Sequence, residues 1–140
     1  MTQQARLPQL IPSTNNLFAT VVSRTGKSHR VKTSEYAAWK AETVIRLRLA
    51  MKPVKTFPVS VHIIVVAGKD FRKSRDIANI EKAVGDALVE AEILPDDKVK
   101  YVWDSRQTYL PQPNLAKSFA LVRVAEGIEV SLRSELGEVA

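Results

Sequence analysis

The sequence predicts a mixed α/β protein of the α+β type, with one mixed sheet of about five strands and two main helices. The most strand-like run, residues 58–67, is rich in β-branched residues. Two other segments, starting near Thr33 and Ile77, carry apolar residues at helical spacing. A length of 140 residues with 45% hydrophobic content fits one domain with a sizeable core.

The strands are expected where β-branched and aromatic residues lie between turn-forming segments. The expected ranges are 6–11, 17–22, 58–67, 98–109 and 118–125, with a hairpin tip at 23–28 that returns over 30–32. Alternation of apolar and polar residues fails in the second half of 58–67. This strand is therefore expected to be central and covered on both faces.

Two helices are expected from capping signals and apolar periodicity. Thr33 or Ser34 caps the first helix, and Pro53 stops it. Its predicted apolar stripe consists of Ala38, Ala41, Ile45 and Leu49. The second helix is expected over 77–92, with Asp76 at its N-cap and a buried face of Ile77, Ile80, Val84, Ala87, Leu88 and Ala91.

The distribution of charge indicates a polyanionic partner. The net charge is +6 and the isoelectric point about 9.7. Residues 126–140 hold four glutamates and one arginine, which leaves 20 basic and 11 acidic residues, a net +9, in residues 1–125. We therefore expect a basic domain over 1–125 with an acidic tail over 126–140, and nucleic acid as the simplest partner. The alternative is that the positive charge is incidental.

Several classes of protein are excluded or disfavoured. The chain has no cysteine, so disulfides, thiolate zinc sites and cysteine nucleophiles are excluded. No apolar run approaches the roughly 18 residues of a membrane span, which favours a cytoplasmic protein without a membrane partner. Gly26-Lys27-Ser28 resembles part of a phosphate-binding loop, but Val21 stands where that motif needs glycine, so no nucleotide cofactor is expected.

The start of the second helix is a candidate metal and phosphate site. Asp76, Asn79 and Lys82 fall on one side of this helix, away from its apolar face. Asp96 and Asp97 follow the helix in a turn and could add carboxylate ligands. Mg²⁺ is usually held by one or two carboxylates with phosphate oxygens and water. The alternative is structural: Asp76 caps the helix and the paired aspartates are solvated turn residues.

Two basic clusters lie near these acids in the sequence. Phosphate binding needs such clusters because much of the affinity for DNA comes from counterion release. The predicted DNA contacts are Arg24, Lys27, Arg30 and Lys32 on the hairpin and Lys69, Arg72, Lys73 and Arg75 before the second helix. The alternative is charge that serves solubility. His29 and His62 are weak signals, since neither has a second histidine at ligand spacing.

Three short motifs follow one another along the chain. The first is Pro12-Ser13-Thr14-Asn15-Asn16. The second runs from Arg75 to Lys82 and leads into Asp86-Ala87-Leu88, and the third is Leu94-Pro95-Asp96-Asp97. By the order and spacing of these motifs, the chain resembles the RusA family of Holliday-junction resolvases over roughly residues 8–125. The family patterns are a Pro-Ser-x-Asn-Asn loop, Asp-x-Asp-Asn-x-x-Lys followed by an Asp-Ala-Leu helix, and an Asp-Asp turn.

The resemblance implies a RusA-like fold and a homodimeric endonuclease, often carried by prophages. Such enzymes need Mg²⁺, with Mn²⁺ as a substitute, and resolve four-way junctions by paired cuts during DNA recombination and repair. It assigns metal binding and catalysis to Asp76 and Asp97 with Asp96 beside them, a catalytic role to Lys82, a supporting role to Asn79, and DNA contacts to Asn15 and Asn16.

One departure from the family pattern opens three interpretations. Ala78 stands where the family has its second aspartate, and a methyl group cannot bind a metal. Another carboxylate, Glu81 or Asp104, compensates; or the chain binds branched DNA without cutting it; or Ala78 is an introduced change. A non-catalytic DNA-binding protein and a small interaction module therefore remain as competing functions.

The distance along the second helix suggests a shared site. A helix of about 15 residues is about 22 Å long, and Asp76 precedes it while Asp97 follows it. We therefore hypothesise that each site combines Asp76 of one subunit with Asp96 or Asp97 of the other, which a dyad would repeat symmetrically.

Overall fold

The computed structural model describes residues 2–12, 18–22, 24, 26, 28–71, 77–96, 98 and 100–126. The elements in chain order are β1 (Thr2–Leu7), β2 (Phe18–Val22), β3 (Ser28–Lys32), α1 (Ser34–Ala50), β4 (Val59–Ala67), α2 (Ile77–Glu90), β5 (Val102–Pro111) and β6 (Phe119–Glu126). No helix among these residues is long and apolar enough to cross a membrane.

The predicted fold class is confirmed, with a mixed sheet of four strands instead of about five. The strand order is β1-β6-β4-β5, in which β4 and β5 are parallel and the other pairs are antiparallel. The hairpin of β2 and β3 forms a separate two-stranded sheet. The strand count differs because the hairpin does not join the larger sheet.

Two strand boundaries differ from the expectation. β1 begins at Thr2 and ends at Leu7, whereas 6–11 was expected, because its polar first residues pair with β6 from Thr2↔Ala125 onward. β5 begins at Val102 instead of residue 98, because the backbone N–H groups of Tyr101 and Val102 both bond to Lys98 O in a turn. Both differences arise from contacts that local composition does not record.

The first helix buries a different face from the predicted one. The buried residues are Tyr36, Trp39, Thr43, Val44 and Leu47, whereas Ile45 is 59% exposed and Leu49 83% exposed. The predicted stripe was wrong because the bulkier set packs on the sheet, and the Trp39 indole N–H donates to Gln9 O, just after β1, at 3.0 Å. The expected cap is confirmed: Tyr36 N–H donates to Thr33 Oγ1 at 3.2 Å.

The second helix buries the face that its periodicity predicts. Ile80, Val84, Ala87, Leu88 and Ala91 are at most 3% exposed, and they pack in the same core as α1 and the sheet. The side chain of Ile77, the first member of that stripe, lies outside the described residues. Glu92, with φ of 62°, ends the helix in a left-handed conformation, and Ile93 N–H returns to Leu88 O at 3.0 Å.

β4 is central, as predicted, but it is not covered on both faces along its length. Val61, Ile63 and Val65 are buried against the helices, while Ser60, His62 and Ile64 are half-buried on the other face. Only at its end, from Val65 to Ala67, is every residue buried. The two helices thus cover one face of the sheet, and no described element covers the other.

Candidate functional site

The first turns of α2 carry the described part of the predicted catalytic motif. Asn79 is half-buried and Lys82 is exposed. Asp76 immediately precedes this helix and lies outside the described residues, as does the side chain of Ala78. The helix therefore presents an amide and an ammonium group within six residues of the predicted metal ligand.

A cavity of about 320 Å³ lies between α2 and the β4–β5 side of the sheet. Glu81 and Lys82 line it from α2, Ser105 lines it from β5, and Leu94 lines it from the segment after α2. Ser105 Oγ donates to Glu81 Oε1 at 2.7 Å, which fixes the carboxylate on the cavity wall. A carboxylate, an ammonium and a hydroxyl therefore meet in one cavity beside the start of α2.

The other two predicted metal ligands, Asp96 and Asp97, come after α2 in the sequence. Asp96 follows α2, is half-buried, and lies 3.5 Å from Lys98 Nζ. Asp97 lies outside the described residues. Because Leu94 shares the cavity with Glu81, the chain after α2 turns back along the helix. The predicted sharing of a site between subunits stays a prediction.

Asp104 does not face this cavity. It accepts a hydrogen bond from Arg106 Nε at 3.1 Å and lies 3.0 Å from Arg106 Nη2. Neighbouring residues of a strand point to opposite faces, so Ser105 faces α2 while Asp104 and Arg106 face away from it. Of the two carboxylates that could replace the aspartate missing at position 78, only Glu81 is on the α2 side.

A second group of residues fixes the start of the predicted basic loop, residues 68–75, which carries Lys69, Arg72, Lys73 and Arg75. Asp70 Oδ1 accepts hydrogen bonds from Ser118 N–H at 2.7 Å and from Ser118 Oγ at 2.6 Å. Gly68 N–H donates to Ser118 Oγ at 2.9 Å, and Lys69 N–H donates to Leu115 O at 2.8 Å. The chain that enters the basic loop is therefore held against the segment before β6.

The first family motif and the basic loop both start beside this Asp70–Ser118 cluster. A cavity of about 290 Å³ is lined by Pro12, the first residue of the Pro-Ser-x-Asn-Asn motif, by Asp70 and Phe71 of the basic loop, and by Lys117. Two predicted DNA-binding segments thus start from one place on the surface.

The structure describes the predicted DNA contacts only in part. Lys69 and Arg24 are exposed. Arg30 and Lys32 lie in β3, and their side chains are outside the described part of the chain. Entirely outside it are Asn15, Asn16, Lys27, Arg72, Lys73 and Arg75. Their predicted roles stay predictions.

The described residues contain no group of three or more histidine, aspartate or glutamate side chains that could hold a metal ion. The two principal predicted ligands, Asp76 and Asp97, are not among them. Glu81 and Asp96 are, and their carboxylate oxygens are hard donors of the kind that Mg²⁺ prefers. The donor chemistry around α2 therefore fits the ion that the family resemblance implies.

Sequence reasoning missed three arginines. Arg6, Arg106 and Arg123 lie on the sheet face opposite the helices and are exposed. The predicted basic clusters lie in loops and a hairpin, whereas these three arginines lie on separate strands. The alternation of side chains within β5 and β6 indicates which residues of one strand share a face. It shows that the arginines of different strands lie together only once the strand order is known.

A family comparison covers most of the chain. The family model of endodeoxyribonuclease RusA matches residues 10–110, which include all three motifs, both helices and the α2 cavity. No curated protein matches the chain significantly. Because the match spans well over half of the sequence, this chain belongs to the RusA family of endodeoxyribonucleases, which act on Holliday junctions.

Proposed function

We propose that this protein is a Mg²⁺-dependent, structure-selective endonuclease that resolves Holliday junctions by paired cuts as a homodimer. The observation that carries the proposal is the family match over residues 10–110. The basic charge of residues 1–125 supports a DNA substrate. We assign the catalytic site to the start of α2 and the turn that follows this helix.

In this proposal, Asp76, Asp96 and Asp97 hold the metal ion. When bound, Mg²⁺ supplies positive charge that makes the scissile phosphate easier for water to attack. Lys82, exposed on the cavity wall, binds a phosphate oxygen of the cut strand, and Asn79 supports the helix start. The basic residues of the loop after β4 hold the DNA backbone beside them.

We further propose that Glu81 compensates for Ala78. Residues three apart on a helix are surface neighbours, so Glu81 lies beside position 78, one turn further along α2. A glutamate side chain has one more methylene than aspartate, which helps it to reach back toward the helix start. The Ser105 hydroxyl holds its carboxylate on the cavity side, whereas Asp104 faces away from α2.

Cleavage of a synthetic four-way junction tests the enzyme. With Mg²⁺ the protein should cut, and EDTA should abolish cutting. Asp76→Asn and Asp97→Asn should each lower the rate by at least about 100-fold, since each removes a charged ligand of the Mg²⁺ ion that would offset the developing negative charge. Junction binding in EDTA should persist in both variants. Normal cutting by Asp76→Asn would contradict the assigned site.

A rescue experiment tests the role of Glu81. Glu81→Gln should lose cleavage while keeping the fold, because the amide still accepts from Ser105. Adding Ala78→Asp to that variant should restore cutting, because it returns a carboxylate to the family position. Asp104→Asn tests the other candidate carboxylate and should still cut with Mg²⁺. Glu42→Gln, which changes an exposed glutamate of α1, is the matched control and should cut normally. Full activity of Glu81→Gln would show that this carboxylate does not compensate.

The second candidate function is a branched-DNA-binding protein that does not cut, and Ala78 is the observation that favours it. In that case the wild-type chain binds junctions but leaves them intact with Mg²⁺. The Ala78→Asp variant alone would then gain cleavage. A wild-type chain that cuts would rule this function out.

Mixed dimers test the proposed sharing of each site. If Asp76 of one subunit acts with Asp97 of the other, a heterodimer of Asp76→Asn and Asp97→Asn subunits has one intact site. It should nick one strand of the junction, although each homodimer is inactive. Heterodimers that cut no strand would show that both aspartates act within one chain.

A further inference from the structure

One face of the four-stranded sheet has no described element packed on it. Ala5, Ile63 and Val122 belong to the core on the helix side, and the alternate residues of each strand point away from α1 and α2. We call this other side the open face. Its central residues are Gln4 and Arg6 of β1, His62 and Ile64 of β4, Asp104, Arg106 and Thr108 of β5, and Phe119, Leu121 and Arg123 of β6.

The strand register places the polar residues of the open face in a row. His62 is the Cα partner of Arg106 on β5 and of Arg123 on β6, and Arg123 is the partner of Gln4 on β1. The next row along the sheet ends at Arg6, the partner of Leu121. Three arginines from three strands therefore lie on one exposed surface.

Neighbouring side chains hold these groups in place. Arg123 Nε donates to Gln4 Oε1 at 2.7 Å, and the Arg6 guanidinium lies 3.9 Å from the centre of the Phe119 ring. Arg106 is held by the adjacent Asp104. A guanidinium that is already oriented loses less conformational freedom when it binds a phosphate.

The spacing of the row suits a nucleic-acid backbone. Adjacent strands of a sheet are about 4.8 Å apart, so Arg106 and Arg123, two strands apart, are separated by about 10 Å at their Cα atoms. That is about the axial rise of three nucleotides along one DNA strand. Two phosphates of one backbone can thus be contacted without bending the sheet.

The charge of the open face favours DNA over a second copy of the chain. A two-fold contact between two open faces would bring arginines against arginines, and like charges across an interface are unfavourable. Asp104, the acid on this face among the described residues, is already paired with Arg106. Burial, followed by the neighbouring Arg106 and Arg123, lowers the pKa of His62, which disfavours the charged form of this histidine.

We propose that the open face is a second DNA-contacting surface, on the opposite side of the sheet from α2. Arg6, Arg106 and Arg123 bind the phosphate backbone of one arm of a branched DNA substrate. This inference rests on the proposed function, because it takes branched DNA as the substrate. A junction has several arms, so a small protein that contacts both sides of its sheet can hold one arm while cutting near the branch point.

The test is the salt dependence of binding to a synthetic four-way junction, measured by fluorescence anisotropy in EDTA, where no cutting occurs. The variant is Arg106→Gln with Arg123→Gln. Each lost phosphate contact should make the slope of log K against log salt less negative by about 0.9, or about 1.8 for the pair. At fixed salt, binding should weaken while the melting temperature stays unchanged.

The matched control is Arg46→Gln with Lys55→Gln, which removes the same charge from exposed positions off the sheet. Arg46 is paired with Glu42 at 3.1 Å much as Arg106 is with Asp104, and the two arginine side chains are 46% and 57% exposed. The control should keep the wild-type slope.

The outcomes separate this inference from the proposed function. If the wild-type chain shows no salt-dependent junction binding, the proposed function fails and this inference with it. If the wild-type chain binds and the open-face variant keeps the same slope, only the second surface is overturned. Sedimentation of both variants adds an independent check: dissociation of a dimer by the open-face variant would make this face an interface between copies and would also overturn the proposal.

Discussion

The contact around Gly68 gives a sharp test of the packing at the end of β4. A methyl group on Gly68 would lie 2.8 Å from Leu115 O, 2.9 Å from Lys117 C and 3.0 Å from Lys117 O. All three atoms belong to the backbone, so no side chain can rotate away. The same backbone is tied to the chain just after β4 by a hydrogen bond from Lys69 N–H to Leu115 O at 2.8 Å.

Gly68→Ala should therefore destabilise the protein by about 1–3 kcal/mol, the usual cost of overpacking a tight site. For a domain of this size, about 3 °C of melting temperature corresponds to 1 kcal/mol, so a fall of about 3–9 °C is expected. Because Gly68 is the first residue of the basic loop, the variant should also bind junctions more weakly.

Gly85→Ala is the matched control for this substitution. Gly85 lies within α2, and a methyl group there would have no heavy atom within 4 Å beyond its own helix. Alanine is favoured over glycine in a helix interior by about 0.5–1 kcal/mol, so this variant should be more stable than wild type.

Equilibrium unfolding in urea measures both variants. The midpoints should move in opposite directions from wild type, with similar slopes, because neither change alters the surface exposed on unfolding by much. A Gly68→Ala midpoint at or above the wild-type value would refute the steric reasoning. If the urea midpoints of both variants fell below the wild-type value, the reasoning that a methyl group on Gly85 enters open space would be wrong.

Three further outcomes are expected. Leu47→Ala should lower the free energy of unfolding by about 2–5 kcal/mol because Leu47 is fully buried. Leu49→Ala should change it by less than about 0.5 kcal/mol because Leu49 is 83% exposed. Urea unfolding of the two variants compares the two faces of α1. Ser118→Ala should lose about 1–3 kcal/mol in the same assay, since it leaves Gly68 N–H and Asp70 without the hydroxyl. The lowered pKa of His62, caused first by burial and then by Arg106 and Arg123, means that the unfolded chain takes up the proton first as pH falls below about 6.5. The free energy of unfolding should therefore decrease as the pH falls below about 6.5, and it should decrease less in His62→Gln. Thermal melts at pH 5 and pH 7.5 measure this effect, and an equal decrease in both proteins would contradict it.

Which face of α1 is buried could not be predicted from the sequence alone. Ala38, Ala41, Ile45 and Leu49 form a regular apolar stripe, yet the helix buries the side with Trp39 and Leu47. Both stripes satisfy helical periodicity, so the pattern alone cannot choose between them. The choice follows from the tertiary contact of Trp39 with Gln9 O and from the larger area that an aromatic side chain removes from water.

The α2 site was more predictable because its signals are local. A single apolar face, an acidic residue at the expected cap and turn residues after the helix all lie within about 20 residues, and the described part of the helix follows them closely. The distinction between Glu81 and Asp104 was not local. It depends on which face of the sheet each side chain lies on. A register irregularity at Val59/Ser60 changes which residues of β5 lie opposite those of β4.

The alternation of β4 links the two surfaces proposed for DNA. Val61 and Ile63 line the cavity beneath α2, so the strand that supports the candidate catalytic side also carries His62 in the middle of the open face. Because neighbouring residues of one strand point to opposite sides, neither surface can move far without the other. A DNA arm bound by Arg106 and Arg123 would therefore be positioned relative to Glu81 and Lys82 by the rigid sheet, rather than by a mobile loop. This is the physical reason to expect that losing the open-face arginines changes where a junction is cut as well as how tightly it is bound.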